Sequence, residues 1–436
     1  MEEGSLITYK NLSGPIAVQL ELTPRCNNVC NYCYNSWRGN KDSEKELDLK
    51  EYMAIAKKLV KDEVFEVVLT GGEPLLRKDI VYPLADYFSK NGLKVGLNTN
   101  LTLLTQEDCD KIKDSNITRI LGSLSSFDKE IYNKITQTKN YERALDGIEL
   151  LVRNNIALGI NMVVKQENKH QVYDTGKFVF GLGVNVFCGT PATPSEFLNS
   201  KEELTPKEII NTLDDLLRLK KEYGMFVDIL EPLPRCIFKD AEKYEPFLKR
   251  DCGAGKITAV ISSSGDVKPC THVPKKYGNL LEKDLSEIWE NMGEWRDGSF
   301  MPRECGNCNE NSYCSMGCRE SSKLKTNKYN NLDPWSDPDN IGERKVQSES
   351  IVVLPDETYR IYSNLMFRDE LGGKLIYSPK TMTLGLINND FFNFLTKLHK
   401  EKNFKVRDVL QEYGENSINL IKYLKSKTFI KKIREG

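Results

Sequence analysis

The chain has 436 residues, 39% of them apolar, and a formal net charge of −1. That length accommodates two or three domains with real cores, and the balanced charge gives no footprint of a nucleic-acid or membrane partner. No apolar run reaches the roughly 18 residues of a membrane span, and the start, Met1-Glu2-Glu3-Gly4-Ser5, is no signal peptide, so the expectation is a soluble, cytoplasmic protein. In that compartment twelve cysteines read as metal ligands rather than disulfides. Three histidines are too few for histidine chemistry to be the central device.

From residue 15 to about 224, short β-branched runs alternate with amphipathic stretches. The first strand, 15–22, is followed by Cys26-Asn27-Asn28-Val29-Cys30-Asn31-Tyr32-Cys33. Three thiolates are one fewer than a closed four-iron site needs, and an open position separates a reactive metal site from a structural one. On spacing alone, a zinc knuckle is the alternative. After a helix over 49–61, a strand over 66–70 runs into Gly71-Gly72-Glu73-Pro74. Its glycines allow the backbone to approach a ligand, and Glu73 offers a carboxylate to an ammonium group; alone, the run is an ordinary strand-ending turn. Further strands are predicted over 94–99, 118–123, 157–164 and 184–187, with helices over 81–91, 141–154 and 206–223. About six β/α units imply a parallel sheet. Polar residues cluster at the strand ends: Asn98, Thr99, Asn100, Ser123 and Ser125.

The cysteine run followed by Gly-Gly-Glu-Pro resembles the signature of the radical S-adenosylmethionine (SAM) enzymes. The resemblance implies an α/β fold, a partial (β/α)6 barrel over residues 1–225. It also implies a [4Fe-4S] cluster on Cys26, Cys30 and Cys33 whose free iron chelates SAM, and reductive cleavage of SAM to a 5'-deoxyadenosyl radical. Gly71, Gly72, Glu73 and Pro74 would then meet the SAM amino group, Asn98 another part of SAM, and Ser125 its ribose or carboxylate. Where the family often carries an arginine in Arg-x-x-Gly, this chain has Lys134-Ile135-Thr136-Gln137. Lys134 would bind the carboxylate as a point charge, which is not equivalent to a bidentate arginine.

A second cysteine set follows: Cys252, then Gly265-Asp266-Val267-Lys268-Pro269-Cys270, Gly278-Asn279-Leu280, Ile288-Trp289, and Cys305-x2-Cys308-x5-Cys314-x3-Cys318. Read as spacing, these elements also suit a pair of zinc ribbons. In order, they resemble the SPASM domain, which holds auxiliary iron–sulfur clusters in radical SAM enzymes acting on peptides and proteins; it would span 226–340. The resemblance implies one cluster on Cys252, Cys270 and Cys318 with Cys236 as fourth ligand, and a second on Cys305, Cys308 and Cys314. The family closes the second with a late cysteine, but here the segment reads Asp333-Pro334-Trp335-Ser336, with no cysteine after Cys318. Either an oxygen of Ser336, Asp333 or Asp337 completes that site, or one iron stays open to a substrate thiolate, or the cluster is labile; oxygen is the weaker donor. Cys109 and Cys188 are assigned to the core, with the active-site wall as the alternative for Cys188.

Residues 319–350 are polar and read as a linker. Strands over 359–367, 374–377 and 381–387 and helices over 391–400, 406–413 and 418–429 then give a βββααα winged-helix order over 350–436. With Arg368-Asp369-Glu370-Leu371-Gly372-Gly373 and Leu375-Ile376-Tyr377-Ser378-Pro379, it resembles the PqqD-like element that binds leader peptides; a generic winged helix is the alternative. The three resemblances imply a maturase that crosslinks a ribosomal precursor peptide by a thioether or carbon–carbon bond, fed by an electron donor such as flavodoxin or ferredoxin. The alternatives are a sulfatase-type protein maturase, a peptide epimerase, and a non-catalytic iron–sulfur scaffold.

Overall fold

The computed structural model describes residues 12–35, 45–195, 198–248, 250–311, 314–340, 351–381, 383–400 and 403–433. They fall into two compact units, Gly14–Lys345 and Val346–Gly436, the second joined by the chain start through Ser13.

The first unit is built on one nine-stranded sheet. Strands β1 (Ala17–Glu21), β2 (Glu66–Thr70), β3 (Lys94–Thr99), β4 (Ile117–Ser123), β5 (Leu158–Val164), β6 (Val186–Pro191) and β7 (Phe226–Asp228) are laid side by side in sequence order, all parallel. Helices α1 (Leu49–Lys61), α2 (Lys78–Lys90), α3 (Gln106–Asp114), α4 (Lys129–Thr136), α5 (Tyr141–Arg153), α6 (Val172–Gly181) and α7 (Pro206–Tyr223) make the crossovers that parallel pairing needs. Strands covered on both faces carry apolar residues there: Val18 and Leu20 of β1, Val67 and Leu69 of β2, and Leu97 of β3 have no exposed surface. The α/β fold with a parallel sheet is as expected. Helices α4 and α6 were not expected. Helix α3 carries Cys109 and Ile112 as apolar core residues, and Thr105 and Asp108 form a reciprocal capping box at its start.

The sheet does not stop near residue 225. Strand β8 (Thr258–Ile261) pairs parallel with β1 on the side away from β2, and β9 (Val267–Lys268) returns antiparallel to β8. The two edges of β1 thus hold Leu20 between Leu69 and Ile261. Beyond β1, Glu21 and Lys268 form a buried ion pair at 3.0 Å, their side chains 3% and 6% exposed. Short helices α8 (Leu285–Glu290) and α9 (Arg319–Thr326) complete the unit. Helix α9 corrects the linker expected from residue 319: Arg319 is buried and donates to the Tyr329 and Asn331 carbonyls at 3.0 and 2.8 Å. Backbone carbonyls consume the charge that made this stretch look solvated. Residues 341–350 of that linker, including the start of the third expected domain, lie outside the described residues.

In the second unit the strand expected over 359–367 is two. Strand β10 (Thr358–Ile361) belongs to one sheet and β11 (Met366–Glu370) to another, in which β12 (Gly373–Ser378) pairs antiparallel with both β11 and β13 (Thr383–Ile387). Then come α10 (Asn389–Lys400), β14 (Asn403–Lys405), α11 (Val406–Tyr413), α12 (Ser417–Ser426) and β15 (Ile430–Ile433), with β14 and β15 flanking β10. Two strands of three and four residues, each containing lysine, leave no readable alternation. Tyr359, Ile376, Phe391, Leu395, Val406, Ile421, Leu424 and Phe429 share one core that both sheets and all three helices enclose.

Lys268→Met removes the ammonium that pairs with the buried Glu21 carboxylate. It should lower the stability of the first unit by about 3–5 kcal/mol in chemical denaturation followed by tryptophan fluorescence. Adding Glu21→Leu should restore most of the loss.

Candidate functional site

The carboxyl ends of the parallel strands carry the first cysteine set. The loop after β1 is fixed by backbone: Val29 and Asn31 donate to the carbonyls of Thr136 and Ile135 at 2.9 and 3.0 Å, acceptors that the C-terminus of α4 leaves unpaired. The asparagines between the cysteines fix it by side chain. Asn27 donates to Thr102 at 2.7 Å and accepts from Asn100 at 2.8 Å. Asn28 accepts from Asn140 at 2.9 Å, and Asn31 from Lys165 at 3.0 Å. The loop presents Cys26 exposed and Cys30 and Cys33 partly so. Their thiols are close enough for charge on one to be felt by its neighbours: Cys33 acts on Cys26, and both Cys30 and Cys33 act on Tyr32. Two donors face the Cys26 sulfur, the Asn28 amide at 3.4 Å and the Asn100 side chain at 3.7 Å. Soft sulfur donors on a pinned loop, with N–H groups favouring the thiolate, fit an iron–sulfur cluster that leaves one iron to another chelator.

The Gly-Gly-Glu-Pro segment packs against this loop. A Cβ at Gly72 would lie 2.1 Å from the Arg25 carbonyl oxygen, and one at Gly71, where φ is +140°, 2.6 Å from that of Thr23. The Gly72 and Glu73 amides donate to the Thr23 and Arg25 carbonyls at 2.7 and 2.8 Å. The glycines let β2's end approach the cysteine loop's own backbone. Glu73 has no exposed surface and accepts from Thr99 and the Asn100 amide at 2.7 Å and from Leu75 at 3.0 Å. Burial pushes its carboxyl up to about 7 despite these donors. It caps the short turn begun by Pro74 and aligns Asn100, which meets Cys26 and Asn27.

Of the other expected SAM contacts, Asn98 is partly buried on β3, and its side chain makes no hydrogen bond among the described residues. Ser125 is buried, its hydroxyl 3.3 Å from that of Tyr32 between Cys30 and Cys33. The Lys134 side chain is 75% exposed and pairs with Glu167 at 2.6 Å. The cation beside the loop is Lys165, just past β5, only 2% exposed and facing Asn31, Glu167 and Glu202. A lone lysine after a strand is an unremarkable residue in sequence, so no signal pointed to it.

The second cysteine region divides differently from the expectation. Cys236, Cys305, Cys308 and Cys314 line one pocket, together with Ser336. Cys236 therefore joins the set that lacks a late cysteine. Burial raises its thiol's pKa, while the Asp337 amide and the Ser336 hydroxyl both aim at the sulfur and work against that shift. Cys314 accepts from the Arg235 and Met316 amides at 3.4 and 3.2 Å. Asp333, the other oxygen considered, is 2% exposed and accepts from the Cys318 and Trp335 amides at 2.7 and 2.8 Å, so it is engaged as a turn-forming acceptor. Cys252, Cys270 and Cys318 form the other set, each within range of its neighbours' charge. Beside Cys318 stand Glu231 and His272, whose ring lies 4.2 Å from that of Tyr34, the residue after Cys33. Cys109 and Cys188 are buried in the core, 0% and 4% exposed.

Residues 20–179 match the radical SAM superfamily, and residues 252–318 match SPASM, an iron-sulfur cluster-binding domain. The chain is similar to an AdoMet-dependent heme synthase of Methanosarcina barkeri, 28% identical over 345 residues, 74% of this chain and 96% of the relative. It is similar to the PqqA peptide cyclase of Bradyrhizobium diazoefficiens, 26% identical over 352 residues, 77% of this chain and 89% of the relative. The crystal structure of Streptococcus suis SuiB bound to its precursor peptide SuiA shares the fold. Its TM-score is 0.61 at 17% identity, with 74% of this chain and 76% of that one covered. No helix among the described residues is long and apolar enough to cross a membrane.

Gly72→Ala should push the cysteine loop off β2. The expected result is loss of iron from the first cysteine set, read as a diminished SAM-sensitive electron paramagnetic resonance (EPR) signal, with the iron of the other sets retained.

Proposed function

We propose that this chain, a radical SAM enzyme that uses a [4Fe-4S] cluster, SAM and auxiliary iron–sulfur clusters, is a maturase that crosslinks a ribosomally made precursor peptide. The observation that carries the reading is the conjunction of two auxiliary cysteine sets with a separate unit of two small sheets and three helices. Crosslinking by a thioether or carbon–carbon bond oxidises the peptide and needs an electron acceptor, whereas epimerisation needs none. The relatives add support, since one is a peptide cyclase.

Cys26, Cys30 and Cys33 hold the radical cluster; Cys236, Cys305, Cys308 and Cys314 hold one auxiliary cluster, and Cys252, Cys270 and Cys318 the other. When bound, these groups supply reductive cleavage of SAM, hydrogen-atom abstraction and an acceptor for the electron that leaves as the crosslink closes. The chain's own work is positional. Asn27, Asn28 and Asn31 fix the loop's shape, Glu73 sets Asn100 against Cys26, and Lys165 holds a buried positive charge where an anionic group of SAM is to be met.

The second unit takes the leader by strand addition. Strands β11 and β13 are the edges of their three-stranded sheet, and an edge supplies the backbone donors and acceptors that an extended peptide pairs with. Docking there raises the effective concentration of the core peptide. The similarity to a heme synthase supports a second reading, haem synthesis, which has no use for a peptide-binding unit.

Two outcomes are expected. Cys236→Ser should cost the second auxiliary cluster its fourth thiolate, and Ser336→Cys in that background should restore it, as read by iron content and Mössbauer spectra. Removing residues 346–436 should leave SAM cleavage without peptide intact while weakening binding of labelled precursor at least tenfold by fluorescence anisotropy. Equal affinity would favour the haem reading.

A further inference from the structure

With Cys236 committed elsewhere, the set of Cys252, Cys270 and Cys318 has three thiolates for a four-iron cluster. The groups beside it are not random surface. A Glu231 carboxylate oxygen, a His272 ring nitrogen and the Cys318 sulfur all lie within 4.8 Å of one another. Glu231 is 16% exposed, and His272 Nε2 is 3.7 Å from its Oε1; among the described residues no hydrogen-bond donor reaches the carboxylate. A carboxylate so enclosed is costly unless a cation or donors meet it. His272 is otherwise engaged. Its Nδ1 lies 3.4 Å from the Thr193 hydroxyl and its ring packs against Tyr34, leaving Nε2 turned toward Glu231.

We propose that Glu231 is the fourth protein ligand of the cluster held by Cys252, Cys270 and Cys318, with His272 as the positioning residue that orients its carboxylate. The inference rests on the assignment of those three cysteines to an iron–sulfur cluster. The carboxylate gives one oxygen to the iron that lacks a thiolate, and no electron is transferred in the bond's formation. Oxygen is a harder donor than sulfur, so this iron is bound least firmly and the cluster differs in potential from an all-thiolate one. Histidine beside a metal-binding carboxylate is a recurrent orienting arrangement.

The test uses the full chain, reconstituted anaerobically, in a background where Cys26, Cys30 and Cys33 are alanine, so that only auxiliary clusters contribute. Glu231→Ala should lose about one iron per chain on mild oxidation and gain the EPR signal of a three-iron cluster. Glu231→Cys should keep the iron and lower the midpoint potential. His272→Ala should keep the iron count and move the potential, which a merely structural residue would not do. Circular dichroism identifies any variant that misfolds, and Glu231→Cys keeps the question open to measurement if Glu231→Ala does. An unchanged iron count and spectrum in Glu231→Ala, or uptake of added thiol by the unmodified cluster with no displaced carboxylate, would overturn the proposal. If Cys252→Ala removes no iron either, the cluster assignment itself fails and the proposal with it.

Discussion

Strand β1 pairs on both of its edges, with β2 on one side and β8 on the other, and everything chemical in the first unit depends on that double pairing. The loop that leaves β1 carries Cys26, Cys30 and Cys33; the hairpin that β8 begins leads to Cys270, two residues after Lys268. The buried Glu21–Lys268 pair closes the same junction from side chains. Two cysteine sets 200 residues and more apart in sequence are thereby built from neighbouring strands. The Tyr34–His272 ring contact is the point where the two loops meet.

Within that frame much of the motif chemistry turns inward. The two glycines of Gly-Gly-Glu-Pro serve the approach of one backbone to another, and Glu73 spends its lone pairs on Thr99, Leu75 and Asn100. A cluster loop must keep three sulfurs in one geometry while its own backbone is irregular, so its polar groups need partners on surrounding elements. The asparagines interleaved with the cysteines find them on α4, on β3's end and beyond α4. The arrangement is a preorganised cradle in which few side chains are left for anything but support.

Much of this was legible in the sequence. Strands β1 to β6 and helices α1, α2, α5 and α7 follow from hydrophobic period, because alternate strand positions are apolar and buried and the helices are two-faced. Strands β7, β9, β14 and β15 were not legible, being two to four residues long and held by pairing rather than composition. The ten clustered cysteines announced metal, yet spacing could not say which set Cys236 joins, since that depends on the path by which residues 229–236 and 333–340 come together. Asn340 makes the junction by donating to the Cys236 and Phe238 carbonyls at 2.7 and 2.9 Å. The serine at 336, where a cysteine was expected, was the one sequence signal that a ligand had to come from elsewhere. Lys134 lies on the open face of α4, and the buried Lys165 follows a strand with no motif around it, so nothing in the sequence singled it out.

The account's central claim is that the radical chemistry is spent on a peptide. It is tested most directly by mass spectrometry of the short peptides encoded in the neighbourhood of this chain's gene, each co-expressed with the intact enzyme and with the Cys26, Cys30 and Cys33 alanine variant. The account predicts loss of two hydrogen atoms per bond formed, confined to the core peptide and dependent on the three cysteines, with fragment ions missing between the joined residues. A precursor of unchanged mass with the active enzyme present, or a change that persists without those cysteines, would contradict it.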